Sequence, residues 1–300
     1  HGDSAVEVLA LKKTYKPWRR AEVRAVRGIN VNIPKGEVYG LLGANGAGKS
    51  TLYKILTGET DPTEGDVFLM NKPLEEARKQ LWKTIGYCPQ FDALFDTLTV
   101  REHLDHYYRL KHLPDEFQQI AVEAQIGLLG LRKYEHVAAE KLSGGNKRRL
   151  SLAIALIGEP PILLLDEAST GMDPLSRRLL WNVVAKAPRS GYNPTILLTT
   201  HSMQEAEVLS NRLAIMAGGV LQCENTPQNI KEQYNAGYEV DVRFLITDAE
   251  INSRCEELER KPQNRVTPRE YELLIDQLIK REQRKSGYQN TEKRPEQTQF

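Results

Sequence analysis

The stretch Gly43-Ala44-Asn45-Gly46-Ala47-Gly48-Lys49-Ser50-Thr51 constrains this chain more than any other. It has the form Gly-x-x-x-x-Gly-Lys-Ser/Thr, and each fixed position answers a physical need. A loop whose backbone N–H groups wrap a triphosphate needs residues that accept positive φ and carry no obstructing Cβ, which Gly43, Gly46 and Gly48 supply. Lys49 sets a cation against the β- and γ-phosphates, and the Ser50 hydroxyl can ligate Mg²⁺. A helix opening at this point aims its positive end at the same anion. The flanks read as the motif requires, Glu37 to Leu42 as a short buried strand and Thr51 to Thr57 as a helix. A nucleoside-triphosphate site is therefore the working premise.

Two continuous apolar runs point to a parallel sheet. Pro161-Ile162-Leu163-Leu164-Leu165 ends in Asp166-Glu167, and Thr195-Ile196-Leu197-Leu198-Thr199-Thr200 ends in His201. Such runs fit strands buried on both faces, and the carboxyl ends of those strands are where ligands of α/β sheets bind. Asp166 can hold Mg²⁺ directly or through water, and Glu167 can polarise a water aimed at the γ-phosphate. His201 ends a strand expected beside those acids, which favours a role in the site. A third strand, Ile85 to Cys88, ends at Pro89-Gln90. Gln90 reads either as an exposed polar residue or as one that reaches Mg²⁺ or the attacking water.

Elsewhere, residues 5–11 and Ala25 to Ile33 read as strands, Asp66 to Met70 as another, and 213–223 as a hairpin turning at Gly218-Gly219. Tyr15 reads as a strand-end tyrosine whose ring can also stack on a purine. Trp18, Arg19 and Arg20 read as a solvated turn. Val100 to Tyr134 is helical in character, with Leu104, Tyr107, Tyr108 and Leu110, then Phe117, Ile120 and Ala124, near helical spacing. Ser143 suits an N-cap, and Gly144-Gly145 leaves the N–H groups of the next helix open to an anion. Lys147, Arg148 and Arg149 then oppose that helix's dipole.

The net charge of +1 excludes a global field for nucleic acid or an anionic membrane surface. Cys88, Cys223 and Cys255 are scattered, which suggests reduced thiols in a cytosolic compartment. No apolar run approaches the roughly 18 residues of a membrane span. The start, His1-Gly2-Asp3-Ser4, is neither a signal peptide nor an initiator Met, so we expect a piece of a longer polypeptide. Residues 236–300 read as a C-terminal extension of one strand (Tyr238 to Phe244) and two helices opened by Thr247-x-x-Glu250 and Thr267-x-x-Glu270 capping boxes, then a polar, disordered tail from Lys285.

Taken together, these segments resemble the nucleotide-binding domain of an ABC transporter over residues 5 to about 235. Tyr15 stands at the aromatic adenine-stacking position, Gly43 to Thr51 match Walker A, Gln90 the Q-loop, and Leu142 to Asn146 the signature. Ile162 to Glu167 match Walker B with its catalytic Glu, Ser169 to Asp173 the D-loop, and His201 the switch His. The wording Gly86-Tyr87-Cys88-Pro89-Gln90-Phe91-Asp92-Ala93 and Thr170-Gly171-Met172-Asp173-Pro174 is similar to the lipid-moving A subfamily, most of all its second, C-terminal half. The signature ends in Asn146 where most members have Gln, and Ala168-Ser169 replaces the common Pro-Thr. Neither change removes a charged or metal-binding group.

The resemblance implies an α/β P-loop NTPase (RecA-like) core with a mostly parallel sheet, an antiparallel β subdomain, and an inserted helical subdomain at about 92–158 carrying the signature. It implies an ATPase using ATP and Mg²⁺, with Ser50, Gln90 and Asp166 at the metal. Glu167, His201 and Gln90 then act in hydrolysis, Tyr15 and Gly43 to Thr51 bind nucleotide, Ser143 to Asn146 contact a partner's ATP, and Asp173 communicates across the dimer. The implied partners are a second nucleotide-binding domain, the transmembrane domains of the same transporter and, indirectly, lipid cargo, with no nucleic acid. The implied location is the cytoplasmic face of a membrane, within an integral transporter. The rival readings are a soluble ABC ATPase working on ribosomes or DNA, and a switch that binds ATP without hydrolysis. The stretch from Lys49 to Ser143 leaves no room for a long coiled coil, and intact Glu167 and His201 oppose the switch.

Overall fold

The computed structural model describes residues 4–16, 21–186 and 192–234. The turn expected at Trp18 to Arg20 and the C-terminal extension at 236–300 lie outside the described residues.

Along the chain, β1 (Ser4–Tyr15) and β2 (Val23–Pro34) precede β3 (Val38–Leu42) and α1 (Lys49–Leu56). Next come β4 (Glu64–Leu69), β5 (Lys72–Pro73), the short α2 (Leu74–Ala77) and α3 (Leu81–Thr84), and β6 (Ile85–Cys88). Three helices follow, α4 (Val100–Leu110), α5 (Gln118–Leu128) and α6 (Gly144–Leu156), then β7 (Ile162–Asp166), α7 (Pro174–Lys186), β8 (Thr195–Thr200) and α8 (Met203–Leu209). The hairpin β9 (Arg212–Ala217) and β10 (Val220–Asn225) leads to α9 (Pro227–Tyr234).

The larger sheet runs β10-β9-β3-β8-β7-β6, parallel from β9 to β6, with β10 antiparallel at one edge. The smaller sheet, β2-β1-β4-β5, is antiparallel. Alternation explains why the central residues of β7 and β8, Ile162 to Leu165 and Ile196 to Leu198, are apolar without a break. Leu163, Leu165, Ile196 and Leu198 pack on one side with the helical segment, while Ile162, Leu164 and Leu197 pack on the other with α1 and the antiparallel sheet. Each residue of a two-faced strand enters one core or the other. From below, the buried Tyr53 of α1 donates its hydroxyl to the Leu197 carbonyl at 2.7 Å and the Leu165 carbonyl at 3.3 Å. Burial raises its phenol well above the ordinary value.

Register decides what shares the carboxyl edge. Leu42 stands beside Thr200, Asp166 beside Thr199, and Cys88 beside Leu165. The residues that leave those strands, Gly43, His201, Glu167 and Gln90, thus emerge together.

In the helical segment Thr99 and Glu102 form a reciprocal capping box at the start of α4. Leu104 and Tyr108 of α4 are buried as their spacing predicts, whereas Leu110 is exposed. In α5 the expected stripe is displaced. Val122 and Ile126, with Leu129 beyond the helix end, are fully buried, while Phe117 and Ile120 are exposed. Both sets have helical spacing, and contact with α4 and α6 selects between them.

Buried Lys111, just past α4, donates to the Ile157 carbonyl at 2.7 Å, at the C-terminal end of α6. Desolvation lowers its ammonium from 10.5 to about 8. A base depressed on folding binds fewer protons in the native state, so its cost is full below about pH 8 and fades as pH rises toward 10.5. Urea unfolding from pH 7.5 to 10.5 should therefore show the wild type gaining about 2–3 kcal/mol on Lys111→Met. Parallel stability curves for the two proteins would contradict this.

Candidate functional site

The phosphate loop closes with a turn from Ala47 N–H to the Ala44 carbonyl, and Gly219 N–H holds the Ala47 carbonyl. Its glycines meet two separate needs. Gly46 and Gly48 sit at φ +81° and +112°, where an L side chain is strained. Gly43 has no such φ; a Cβ there would stand 2.5 Å from the Met216 carbonyl oxygen, so its need is close backbone approach alone. Helix α1 opens on Gly48 with no side-chain cap, which leaves its first-turn N–H groups for an anion. Ala44, Asn45, Gly46 and Ser50 are exposed, Thr51 is half-buried and Ala47 is buried.

Lys49 is buried. Its ammonium donates to the Gly43 carbonyl at 2.6 Å and the Ala44 carbonyl at 3.3 Å, and lies 3.5 Å from Glu167 Oε1. Glu167 collects two further side chains on its other oxygen. Gln90 Nε2 donates to Oε2 at 3.2 Å, and His201 Nδ1 lies 3.6 Å from it. Three side chains from separate strand ends or loops thus meet at the buried carboxylate of a fourth residue, Glu167.

The backbone of Glu167 sits at φ 45°, in the left-handed region, which costs a residue with a long side chain on the order of 1–2 kcal/mol. Its N–H donates to Thr199 Oγ1 at 3.0 Å and to the Thr199 carbonyl at 3.2 Å. The same hydroxyl donates to Asp166 Oδ1 at 2.6 Å. Thr199 therefore orients both acids, and sequence reasoning missed it. Its signal was a hydroxyl just past the apolar Ile196 to Leu198, shared with its neighbour Thr200. Burial raises the Asp166 carboxyl above its ordinary value, partly countered by the Thr199 hydroxyl.

Ser143, Gly144, Gly145, Asn146 and Asp173 form a second group. Ser143 caps α6 by accepting from Asn146 N–H at 3.4 Å. Asp173 caps α7, accepting from Ser176 N–H at 3.0 Å and Ser176 Oγ at 2.5 Å, and these bonds hold its carboxyl below the usual range. Arg149 donates to the same Ser176 hydroxyl at 2.7 Å, which ties α6 to this turn. Among the described residues, no hydrogen bond or ion pair links Ser143–Asn146 or Asp173 to Lys49 or Glu167. Tyr15 is half-buried at the end of β1, with Lys13 Nζ 5.2 Å from its ring centroid.

The expected clash of three cations with the α6 dipole needs correction. With Ser143 as N-cap, Arg148 and Arg149 fall beyond the first turn, and both guanidinium groups have partners. Arg148 is buried, its charge spread over carbonyls and Asp92.

A hard cation takes oxygen ligands, and the three residues expected at the metal, Asp166, Ser50 and Gln90, each carry one. Among the described residues no group of three or more His, Cys, Asp or Glu forms a metal site. Mg²⁺ is ordinarily held by one or two carboxylates together with substrate phosphates and water, so this sparse set fits it.

Residues 26–170 match the ABC transporter family. The phospholipid-transporting ATPase ABCA3 of Rattus norvegicus is 44% identical over 241 residues, which are 80% of this chain and 14% of that protein. The retinal-specific phospholipid-transporting ATPase ABCA4 of Homo sapiens is 44% identical over 243 residues, 81% of this chain and 11% of that protein. This chain thus spans a small part of those relatives' length. Among solved structures, a dimeric post-hydrolysis state of the ATP-binding cassette MJ0796 bound to ADP and Pi aligns with TM-score 0.68 and 25% identity, over 74% of this chain and 98% of that one. An ATP-binding subunit of an ABC transporter aligns with TM-score 0.70 at 22% identity, over 86% of this chain and 100% of that one, a likeness of fold.

Proposed function

This chain belongs to the ABC transporter family and carries its ATPase domain, and from that premise we propose that it is one of two cassettes whose closure around ATP powers phospholipid movement across a membrane. The observation that carries the proposal is the convergence of Lys49, Gln90 and His201 on the buried Glu167 carboxylate beside the phosphate loop. The relatives named for phospholipid transport supply the cargo class, and the dimeric cassette supplies the pairing.

In this reading the N–H groups from Gly43 to Thr51 and the Lys49 ammonium bind the phosphates, while Tyr15 offers its ring to the base. Lys49 gives up its carbonyl and carboxylate partners for phosphate oxygens, which frees Glu167 to accept a proton from water. Glu167 orients that water as general base, Gln90 aligns it, and His201 sits on the opposite flank of the carboxylate. Ser50, Asp166 and Gln90 would hold Mg²⁺, which would supply charge neutralisation at the phosphate oxygens. Ser143, Gly144, Gly145 and Asn146 present a capped helix start to the partner's ATP, and Asp173 lies beside them to relay closure. Among the described residues no helix is long and apolar enough to cross a membrane. The much longer relatives support a reading in which this domain works with transmembrane domains at the cytoplasmic face of a transporter.

Phosphate release from ATP by the purified chain tests the reading. Turnover should depend on Mg²⁺ and stop when the metal is chelated. A chain that binds Mg-ATP by calorimetry yet releases no phosphate would make it a switch.

A further inference from the structure

Arg148 draws together the segments on which that chemistry depends. It lies on α6, shortly after Ser143-Gly144-Gly145, and is only 4% exposed. Its Nε donates to the Ala168 carbonyl at 2.7 Å, and one terminal nitrogen donates to the Asp166 carbonyl at 2.9 Å. The other donates to the Pro89 carbonyl and to Asp92 Oδ1, the latter at 3.2 Å. Ser151, on the same face of α6, donates to that Asp92 oxygen at 2.7 Å.

These acceptors have a pattern. Pro89 immediately precedes Gln90, while Asp166 and Ala168 flank Glu167 on both sides. One planar guanidinium, with five N–H donors in a fixed fork, therefore holds the backbone next to Gln90 and on both sides of Glu167, whose side chains meet. The left-handed φ of Glu167 makes such a clamp necessary, because strained backbone persists only where its surroundings over-determine it.

We propose that Arg148 is a positioning residue for hydrolysis, holding Gln90 and Glu167 at their mutual geometry and tying both to the helix that bears the signature. The inference rests on the hydrolytic reading of Glu167 and adds a role for a residue that contacts no substrate. It also gives that helix a direct mechanical connection to its own chain's Glu167. A shift of α6 moves the Pro89, Asp166 and Ala168 carbonyls together.

Arg148→Lys keeps the charge and loses the fork. It should lower kcat about 10–100-fold, the scale expected when reacting groups are misplaced by about 1 Å. KM and calorimetric ATP affinity should change less than about threefold, since the phosphate loop is untouched. Hydrogen exchange should quicken at 88–93 and 166–170 and stay unchanged in α1, which separates local loosening from general destabilisation. Asp92→Asn, at the half-exposed end of the clamp, should show the same pattern more weakly. In a Glu167→Gln background, Arg148→Lys should add little further loss of turnover, because both changes act on one step.

Unchanged kcat or unchanged local exchange in Arg148→Lys overturns the proposal, as do losses that multiply in the double variant. Should Arg148→Lys not fold, Asp92→Asn decides, and full kcat with normal exchange there overturns it. If Glu167→Gln alone hydrolyses ATP at the wild-type rate, the hydrolytic reading fails instead.

Discussion

Glu167→Gln should bind ATP at close to wild-type affinity and hydrolyse it roughly 10²–10⁴-fold more slowly, the loss typical of removing a general base. The change keeps the side chain's length and its hydrogen bond with Gln90, and removes the charge that faces Lys49 and His201. Lys49, Ser50 and Asp166 remain to position nucleotide. With turnover blocked, ATP should persist between the phosphate loop of one copy and Ser143-Gly144-Gly145 of another. Size-exclusion chromatography with light scattering should then show a dimer that requires ATP. Adding Ser143→Arg should abolish the dimer, because a long cation would occupy the space at the exposed start of α6. A Glu167→Gln chain with wild-type turnover would refute the catalytic role. One that is inactive yet monomeric with ATP would leave that role standing and point to pairing with a different cassette.

Lys49→Ala is expected to lower Mg-ATP affinity at least about tenfold, because a charge-assisted hydrogen bond to phosphate contributes about 1.5–3 kcal/mol. The effect has a second part. Lys49 is the cation nearest the buried Glu167, at 3.5 Å, so its removal also leaves that carboxylate with less compensation inside the protein. A lower melting temperature should accompany the weaker binding, and calorimetry with thermal unfolding separates the two. Unchanged ATP affinity would remove the phosphate loop from the proposed mechanism.

How much of this was legible in the sequence depended on whether a feature is local. Strands β7 and β8 announce themselves because a strand buried on both faces is apolar through its centre, Ile162 to Leu165 and Ile196 to Leu198, and their polar ends mark the ligand edge. The glycine loop is equally plain, since its spacing is set by the anion it wraps. Val122 and Ile126 were not legible as the buried face of α5, because Phe117, Ile120 and Ala124 offer a competing set and only tertiary packing selects. Thr199 was hidden because a hydroxyl just past an apolar run reads as an ordinary strand residue until the register sets it opposite Asp166. Arg148 reads by local rules as a surface cation opposing a helix dipole. Its acceptors lie at Pro89, Asp92, Asp166 and Ala168, far along the chain in both directions.

The placement of β3 has a consequence for how the domain comes into being. The strand that feeds the phosphate loop is made early, yet both of its sheet neighbours, β8 and β9, are made late. Until Arg212–Ala217 has left the ribosome, Val38–Leu42 presents unpaired backbone along its length, and closing so long a loop is intrinsically slow. During that interval the apolar strand is exposed to wrong pairing and to chaperones, as edges of incomplete sheets generally are. The nucleotide loop is thus among the last parts of the domain to gain its supports.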